Sequence, residues 1–152
     1  MRKLATTSVA AAVLATGLAA ASPTSDAAGP TAAQRTQHVM RLLVHQIESH
    51  PLGKNHPAGA DRLRFLASHK IAGYESFSGV FNPKTDRLRF WLADALEGGI
   101  IVSYFDLDTQ KTGNTFTGRI THGTGRYSGI HGTLHVRNSD GGRTVYTLRY
   151  TL

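Results

Sequence analysis

The stretch Gly118-Arg-Ile-Thr-His-Gly-Thr-Gly-Arg-Tyr-Ser-Gly-Ile-His-Gly-Thr133 decides the fold, because glycines interrupt it between two β-prone runs. Half of the chain's 16 glycines fall between Gly113 and Gly142. Glycine adopts positive φ and lets backbones approach closely, so such a cluster beside β-branched residues is typical of sharply turned β-structure. A phosphate-binding loop would need a helix after the glycines, whereas the strand-like run Ile130–Val136 follows here. The stretch therefore predicts a β-hairpin.

Further strand-like runs surround this hairpin. Segments rich in aromatic and β-branched residues occur at Tyr74–Phe81, Arg87–Asp94, Ile100–Leu107, Thr115–Thr121, Ile130–Arg137 and Arg143–Thr151. Turn signals separate two neighbouring pairs of them, at Asn82-Pro-Lys-Thr-Asp86 and Asn138-Ser-Asp-Gly-Gly142. Since no helical pattern intervenes, the spacing predicts an antiparallel sheet that closes on itself.

The segment Arg35–His50 fits two structures. Val39, Leu42, Leu43 and Ile47 form a helical stripe, and the periodicity alone slightly favours a helix. Alternation is also present, and it would place one set of side chains on a single strand face: Met40, Leu42, Val44 and Gln46. The proline after His50 ends the segment in either case.

The N-terminus is typical of an export signal. Arg2 and Lys3 precede the uncharged, alanine-rich run Leu4–Ala21, and small-residue cleavage signals end at Ala21 and at Ala27. A membrane anchor is the alternative, but the run is weakly hydrophobic and no second run approaches the roughly 18 residues of a spanning helix. We therefore predict a signal peptide and the start of a flexible arm over residues 1–28, a disordered arm over 29–37, one domain over 38–152, and a secreted protein.

Composition restricts the chemistry of the domain. The chain has no cysteine, so disulfides, thiol catalysis and cysteine-ligated metals are excluded. It carries 17 basic and 10 acidic residues. Loss of Arg2 and Lys3 leaves 15 basic residues against 9 or 10 acidic ones, a net charge of +5 or +6. This charge suits solubility or an anionic partner, but no block of five or six like charges predicts a specific nucleic-acid site.

The motif Ile120-Thr-His-Gly-Thr-Gly-Arg-Tyr-Ser-Gly-Ile-His-Gly132 resembles the glycine hairpin I-T-G-G-[ST]-G-x-[FY]-x-G-x-x-G of the allene oxide cyclase family and its bacterial relatives, which share a fold with dirigent proteins. Gly99–Val102 and Tyr146–Leu152 resemble the strand before it and the closing strand. Val39–Glu48 and Gly59–Phe65 resemble the family's first strand and the segment that follows. The resemblance covers nearly all of residues 38–152.

The resemblance implies an all-β fold, a single antiparallel eight-stranded β-barrel with a small-molecule cavity, and a strand rather than a helix at His38–Glu48. Eight strands enclose an interior just wide enough for side chains or one small ligand. It also implies a possible homo-oligomer, a trimer or a dimer, since cyclases of this family are trimers. It implies no cofactor.

Departures from the family motif bear on activity. His122 stands where the family usually has glycine, and Ile130-His131 replaces a common Ala-Arg pair. The cyclases carry a glutamate on the first strand, and the alignment places Gln46 there. Glutamine cannot ionise, so it could not supply a negative charge to a developing cation.

Candidate site residues follow from the predicted strands. We expect the face of the first strand that carries Gln46 to point inward. The predicted ligand-binding residues are then Met40, Leu42, Val44, Trp91 and Tyr104. The candidate catalytic residues are Gln46, as a hydrogen-bonding partner of the ligand, or His45 on the opposite face, with Tyr104 as a proton donor and Arg119 as a partner for an anionic group.

Other constellations predict no site. His131 and His135 would lie roughly 13 Å apart on a strand, at about 3.3 Å per residue, so they would not share a metal. The remaining histidines lack metal-site spacing, and no metal is predicted. Four acids flank the strand at Ile100–Leu107, and we expect them to be solvated at strand ends: Asp94, Glu97, Asp106 and Asp108.

The sequence thus favours an exported barrel that binds a small, largely apolar molecule, with guidance of its cyclisation or isomerisation as the candidate activity. The alternative is a non-enzymatic secreted protein that contacts anionic polymers through a basic outer face. That face would carry Arg62, Arg64, Lys84, Arg87 and Arg89. A third alternative, a purely structural barrel, predicts a filled interior.

Overall fold

The computed structural model describes residues 35–50, 52–139 and 141–152, and these form eight antiparallel strands. The strands are β1 (His38–Ser49), β2 (Ala58–Phe65), β3 (Ile71–Asn82), β4 (Arg87–Leu96), β5 (Gly99–Asp108), β6 (Thr115–Gly123), β7 (His131–Asn138) and β8 (Thr144–Thr151). Each strand pairs with the next in sequence, and β1 pairs with β8, which closes the barrel. The predicted eight-stranded barrel is confirmed. The predicted signal peptide and most of the predicted arm lie outside the described residues.

The segment for which periodicity slightly favoured a helix is strand β1. It pairs with β2 on one side, where Leu42 stands opposite Phe65, and with β8 on the other, where Leu42 stands opposite Tyr146. Because both edges of the segment gain hydrogen-bonded partners, pairing outweighs the weak helical periodicity. The strand implied by the family resemblance is correct, and the helical interpretation is wrong. No helix among the described residues is long and apolar enough to cross a membrane.

Alternate residues of each strand fill the barrel. The buried apolar core combines inward residues from all eight strands with residues of the β6–β7 turn, among them Leu42, Leu63, Leu92, Ile101, Phe105, Ile120, Ile130, Leu134 and Leu148. Irregularities in register at Gln46/Glu48, Leu63/Arg64 and Val102/Ser103 shift the alternation within β1, β2 and β5. Side-chain direction therefore depends on the pairing as well as on the sequence.

The glycine-rich hairpin closes one end of the barrel, which we call the turn end. Gly125–Tyr127 forms a short 3-10 turn between β6 and β7, and Tyr127 is buried beneath it. Gly125 adopts φ +59°, and a Cβ there would meet the Gly98 carbonyl oxygen at 2.1 Å, so only glycine fits. The opposite end, where loops join β1–β2, β3–β4, β5–β6 and β7–β8, is the cavity end.

Candidate functional site

Three carboxyl groups form a row inside the barrel across neighbouring strands. Asp61 on β2 stands directly opposite Glu75 on β3, and Glu75 stands directly opposite Asp94 on β4. Side chains that are direct cross-strand partners have Cβ atoms about 4.5–5.5 Å apart. The pairing therefore brings the three acids into contact range, and we call them the carboxyl row.

The carboxyl row is removed from solvent. Asp94 is 0% exposed, Glu75 2% and Asp61 6%. The Tyr146 hydroxyl donates a hydrogen bond of 3.1 Å to Glu75 Oε1. Glu75 Oε2, Asp61 Oδ1 and both carboxyl oxygens of Asp94 have no partner among the described residues when the three acids are ionised. Buried polar atoms without partners are costly, so the row needs either shared protons or a bound group.

A proton on Glu75 resolves much of this deficit. Burial, together with the neighbouring Asp94 carboxyl, raises the pKa of Glu75 to about 11. Burial raises the pKa of Asp94 to about 6, although a hydrogen bond from Glu75 acts to lower it. Burial also raises the pKa of Asp61, against a hydrogen bond from Glu75. Glu75 is therefore the protonated centre of the row, and its flanking carboxyls are the acceptors that this proton can reach.

The row borders a cavity of about 290 Å³ at the cavity end of the barrel. Asp61 and Glu75 line it, whereas Asp94 lies behind them, outside the lining. Its walls combine apolar and polar side chains. The apolar ones come from β1, β3, β4, β6 and β7, namely Val44, Phe77, Phe90, Leu92, Phe116 and Val136, and Asn138, Thr144 and Tyr146 add polar groups beside the acids. An apolar cavity with a few converging polar groups is the usual form of a small-molecule site.

An aromatic cluster supports the wall beside β4–β6. Phe90 stacks on Phe105 with ring centroids 4.5 Å apart, and Phe116 meets both rings edge-on. Gly118 makes room for this packing, because a Cβ there would approach the Phe105 ring to 2.6 Å. The cluster holds Phe90 and Phe116 in fixed positions at the cavity, and the structural alternative of a wholly filled interior does not fit the void beside them.

Strand β1 places the predicted inward residues in two groups. Val44 and Gln46 line the cavity, and Gln46 stands opposite Asp61, so it extends the carboxyl row at the mouth. Leu42 is fully buried in the core, and Met40 packs against the core from the same face. Neither Leu42 nor Met40 lines this cavity.

Four predicted site residues lie on the outer face instead. Trp91 is 45% exposed and packs against Tyr104, its cross-strand partner, with ring centroids 5.1 Å apart. Arg119 is the next partner across β5–β6, and His45 points away from the interior that Val44 and Gln46 face. None of the four lines this cavity, since alternate strand residues face opposite sides of a barrel wall. The structure brings Trp91, Tyr104 and Arg119 together, but away from the carboxyl row.

The basic residues and histidines also lie outside the cavity. Arg87 and Arg89 both pair with Asp106, at 2.7 Å and 3.5 Å, which partly neutralises the predicted basic face. His131 and His135 are exposed on β7. Within the described ranges, no group of three histidine or acidic side chains has the arrangement of a metal site.

The carboxyl row was missed by reasoning from the sequence, which placed Asp94 among solvated acids at strand ends. That prediction is wrong, because Asp94 is an inward residue of β4 between Leu92 and Leu96. The other two acids also lie two residues from an apolar residue of the same strand, and therefore on the same face. Glu75 lies two residues before Phe77, and Asp61 lies two residues before Leu63. An acid that shares the parity of apolar strand neighbours is the pattern that could have identified them.

Solved structures of other proteins share this barrel. A pyocyanin demethylase is 26% identical, with a TM-score of 0.63, and the match covers 75% of this chain and 100% of that chain. A pterocarpan synthase dirigent protein is 12% identical, with a TM-score of 0.61 and coverage of 80% and 92%. A Diels-Alderase from Streptomyces koyangensis is 15% identical, with a TM-score of 0.60 and coverage of 78% and 70%.

No protein-family model matches the chain, and no curated protein matches it either. The likeness to the dirigent protein and the Diels-Alderase therefore stands on structure, and at this identity it shows the fold. The chain has the barrel of the dirigent and cyclase proteins. The resemblance to the allene oxide cyclase and dirigent barrels, drawn from the glycine hairpin, is confirmed at that level.

Proposed function

We propose that the barrel binds a small, largely apolar molecule in its cavity and catalyses an isomerisation or cyclisation by proton transfer. One observation carries the proposal: a cavity with aromatic and aliphatic walls is lined by two buried carboxyl groups, Asp61 and Glu75, and each has one oxygen without a partner among the described residues. A purely structural barrel would gain nothing from leaving these oxygens beside a void.

The carboxyl row supplies both an acid and a base. Protonated Glu75 gives its proton to one atom of the bound molecule, and ionised Asp61 takes a proton from another. The molecule then leaves as an isomer with no net change of atoms or charge. Because Asp61 and Glu75 are cross-strand partners, the proton returns from Asp61 to Glu75 between turnovers. Asp94 acts as a positioning residue, since it holds the proton on Glu75 without lining the cavity.

The comparisons support chemistry on small molecules. Two of the structures that share the barrel are named for a demethylation of pyocyanin and for a Diels-Alder reaction, and a third for pterocarpan synthesis. A cyclase with this barrel is named for a [4 + 2] cycloaddition. Confinement in a shaped cavity contributes to such reactions, and a buried acid–base pair adds proton transfer to it.

The first experiment is native mass spectrometry of the protein purified from the organism that produces it, with extraction of any bound small molecule. We expect a stoichiometric, largely apolar compound. The extracted compound is then incubated with the protein in D₂O, and deuterium uptake into carbon positions is followed. Uptake reports proton transfer directly, whatever the final product is.

Two variants separate the roles in this assay. Glu75→Gln removes the transferable proton but keeps the size of the side chain, so it should bind the compound and abolish deuterium uptake. Glu97→Gln is the matched control, because Glu97 is exposed in the β4–β5 turn at the turn end of the barrel. Unchanged uptake in Glu75→Gln would exclude the proposed proton transfer, and failure of any compound to bind would exclude the cavity function.

A further inference from the structure

The cavity contains acids without bases. Among the described residues that line it, none is lysine, arginine or histidine. The ion pairs found in the described ranges involve other acids, namely Glu48, Asp106 and Asp108. The carboxyl row therefore has no counter-ion from a side chain that lines the cavity.

A single proton on Glu75 cannot satisfy all three carboxyl groups. Glu75 stands between Asp61 and Asp94 and can donate its proton to only one of them at a time, and the Asp61 Oδ1 atom at the cavity wall is buried without a partner among the described residues. Glu75 Oε2, on a side chain that is 2% exposed, lacks a partner beside the same cavity. A buried carboxylate is stabilised by a paired positive group, so a cationic ligand would satisfy the acid that the shared proton leaves without a donor.

Aromatic side chains on β3, β4 and β6 make the cavity suitable for a flat cation. Phe77, Phe90 and Phe116 present rings to the cavity, and aromatic faces attract positive charge. An organic cation with a delocalised charge loses little hydration on entry, whereas a compact ammonium ion loses much. The volume of about 290 Å³ is sufficient for a molecule of two fused rings.

We infer that the ligand is a flat aromatic molecule with one positive charge, such as a quaternary or protonated ring nitrogen, held with its charged atom toward Asp61 and its rings against the phenylalanines. This inference rests on the proposed function and specifies the substrate class of the same cavity. It makes Asp61 the residue that selects for charge, while Glu75 remains the proton donor.

Three probes of matched size test the inference on the wild-type protein: N-methylquinolinium, 1-methylnaphthalene and 1-naphthoate. They are respectively cationic, neutral and anionic, and binding is followed by isothermal titration and by ligand-detected NMR. We expect the cation to bind at least about tenfold more tightly than the neutral probe, which corresponds to about 1.4 kcal/mol. We expect the anion to bind most weakly.

The Asp61→Asn variant isolates the charge. It should reduce the cation's preference over the neutral probe to less than about threefold and leave the affinity for the neutral probe unchanged, while Glu97→Gln should keep the full preference. If the neutral or the anionic probe binds as tightly as the cation, the inference is overturned while the cavity function stands. If none of the three binds, the proposed function fails with it. The wild-type series gives this answer even if Asp61→Asn does not fold.

Discussion

Glu75 and Asp94 face each other as direct cross-strand partners on β3 and β4, and both carboxyl groups lie inside the barrel away from solvent. Like charges in this position destabilise a sheet, so the pair is tolerated only with a shared proton. Asp61 on β2 and Tyr146 on β8 are the other titratable groups facing Glu75. Because Glu75, Asp94, Asp61 and Tyr146 are buried together, their protonation should change the free energy of unfolding measurably.

Stability should fall as pH rises above the acidic range. The folded-state pKa of Glu75 is raised to about 11 from 4.5, so between these values the folded protein keeps a proton that the unfolded chain releases. Each such proton lowers the free energy of unfolding by about 1.4 kcal/mol per pH unit. Asp94, raised to about 6 from 3.8, acts in the same direction at lower pH. Urea denaturation at pH 4, 7 and 9 measures the slope.

The Glu75→Gln variant should remove most of this slope above pH 6. Its amide can donate to the flanking acids as the protonated carboxyl does, and it never ionises. We expect the variant to be more stable than the wild type at pH 7 and 9, and similar to it at pH 4. Glu97→Gln should keep the wild-type slope. A slope that survives in Glu75→Gln would show that Glu75 ionises without penalty in the folded barrel.

Asp94→Asn should lower the pKa of Glu75. The substitution removes the nearest negative charge and places an amide donor beside the Glu75 carboxyl, and both changes favour the ionised form. Titration of the Glu75 side-chain carbon by ¹³C NMR measures the shift directly. The pH dependence of deuterium uptake should also differ between this variant and the wild type. A merely structural role of Asp94 would not produce this difference.

Tyr146→Phe should destabilise the fold by about 1–3 kcal/mol, since it deprives buried Glu75 Oε1 of its hydrogen-bond donor. Tyr74→Phe is the matched control, because Tyr74 lies on the outer face of β3 and is 51% exposed. The control should change the free energy of unfolding by less than about 0.5 kcal/mol. Equal effects of the two variants in urea denaturation would mean that the hydrogen bond to Glu75 contributes nothing net.

Gly118→Ala should destabilise the barrel by about 1–3 kcal/mol through overpacking. The new methyl group would displace the Phe105 ring and with it the stacked Phe90 at the cavity wall. Gly113→Ala serves as the control, because a Cβ there meets nothing within 4 Å. Thermal unfolding measures both variants. A lower melting temperature in Gly118→Ala than in Gly113→Ala would show that the loss comes from the clash with Phe105 and not from replacing a glycine as such.

Phe77→Leu should weaken binding of N-methylquinolinium by about three- to tenfold, since it replaces a ring that faces the cavity. Trp91→Leu should leave the affinity unchanged, because Trp91 lies on the outer face beside Tyr104. Isothermal titration of both variants shows whether N-methylquinolinium binds inside the barrel or on its outer face. Loss of affinity in Trp91→Leu alone would move the binding site to the outer surface.

Much of the fold could be predicted from local sequence. The glycine cluster around Gly118–Gly132 indicates tight turns and close backbone approach. The β-prone runs on either side are stable as strands that pair with each other. The alternation of Met40, Leu42 and Val44 was present too, but the periodicity of that segment slightly favoured a helix, and only the family resemblance indicated a strand. In β4 the same alternation indicates the outward direction of Trp91, since Leu88, Phe90 and Leu92 share the other face.

A local pattern could mark each of the three acids as inward, but only the tertiary structure makes them neighbours in the carboxyl row. Asp61, Glu75 and Asp94 come from three strands, and only the register of β2, β3 and β4 makes them neighbours. A shift of one residue in either pairing would turn an acid outward to solvent, and the irregularity between Leu63 and Arg64 shows that such shifts occur within this sheet. The sequence by itself determined that strands form and where they turn; the closure of the barrel determined which side chains share its interior, because that depends on contacts between residues far apart in the chain.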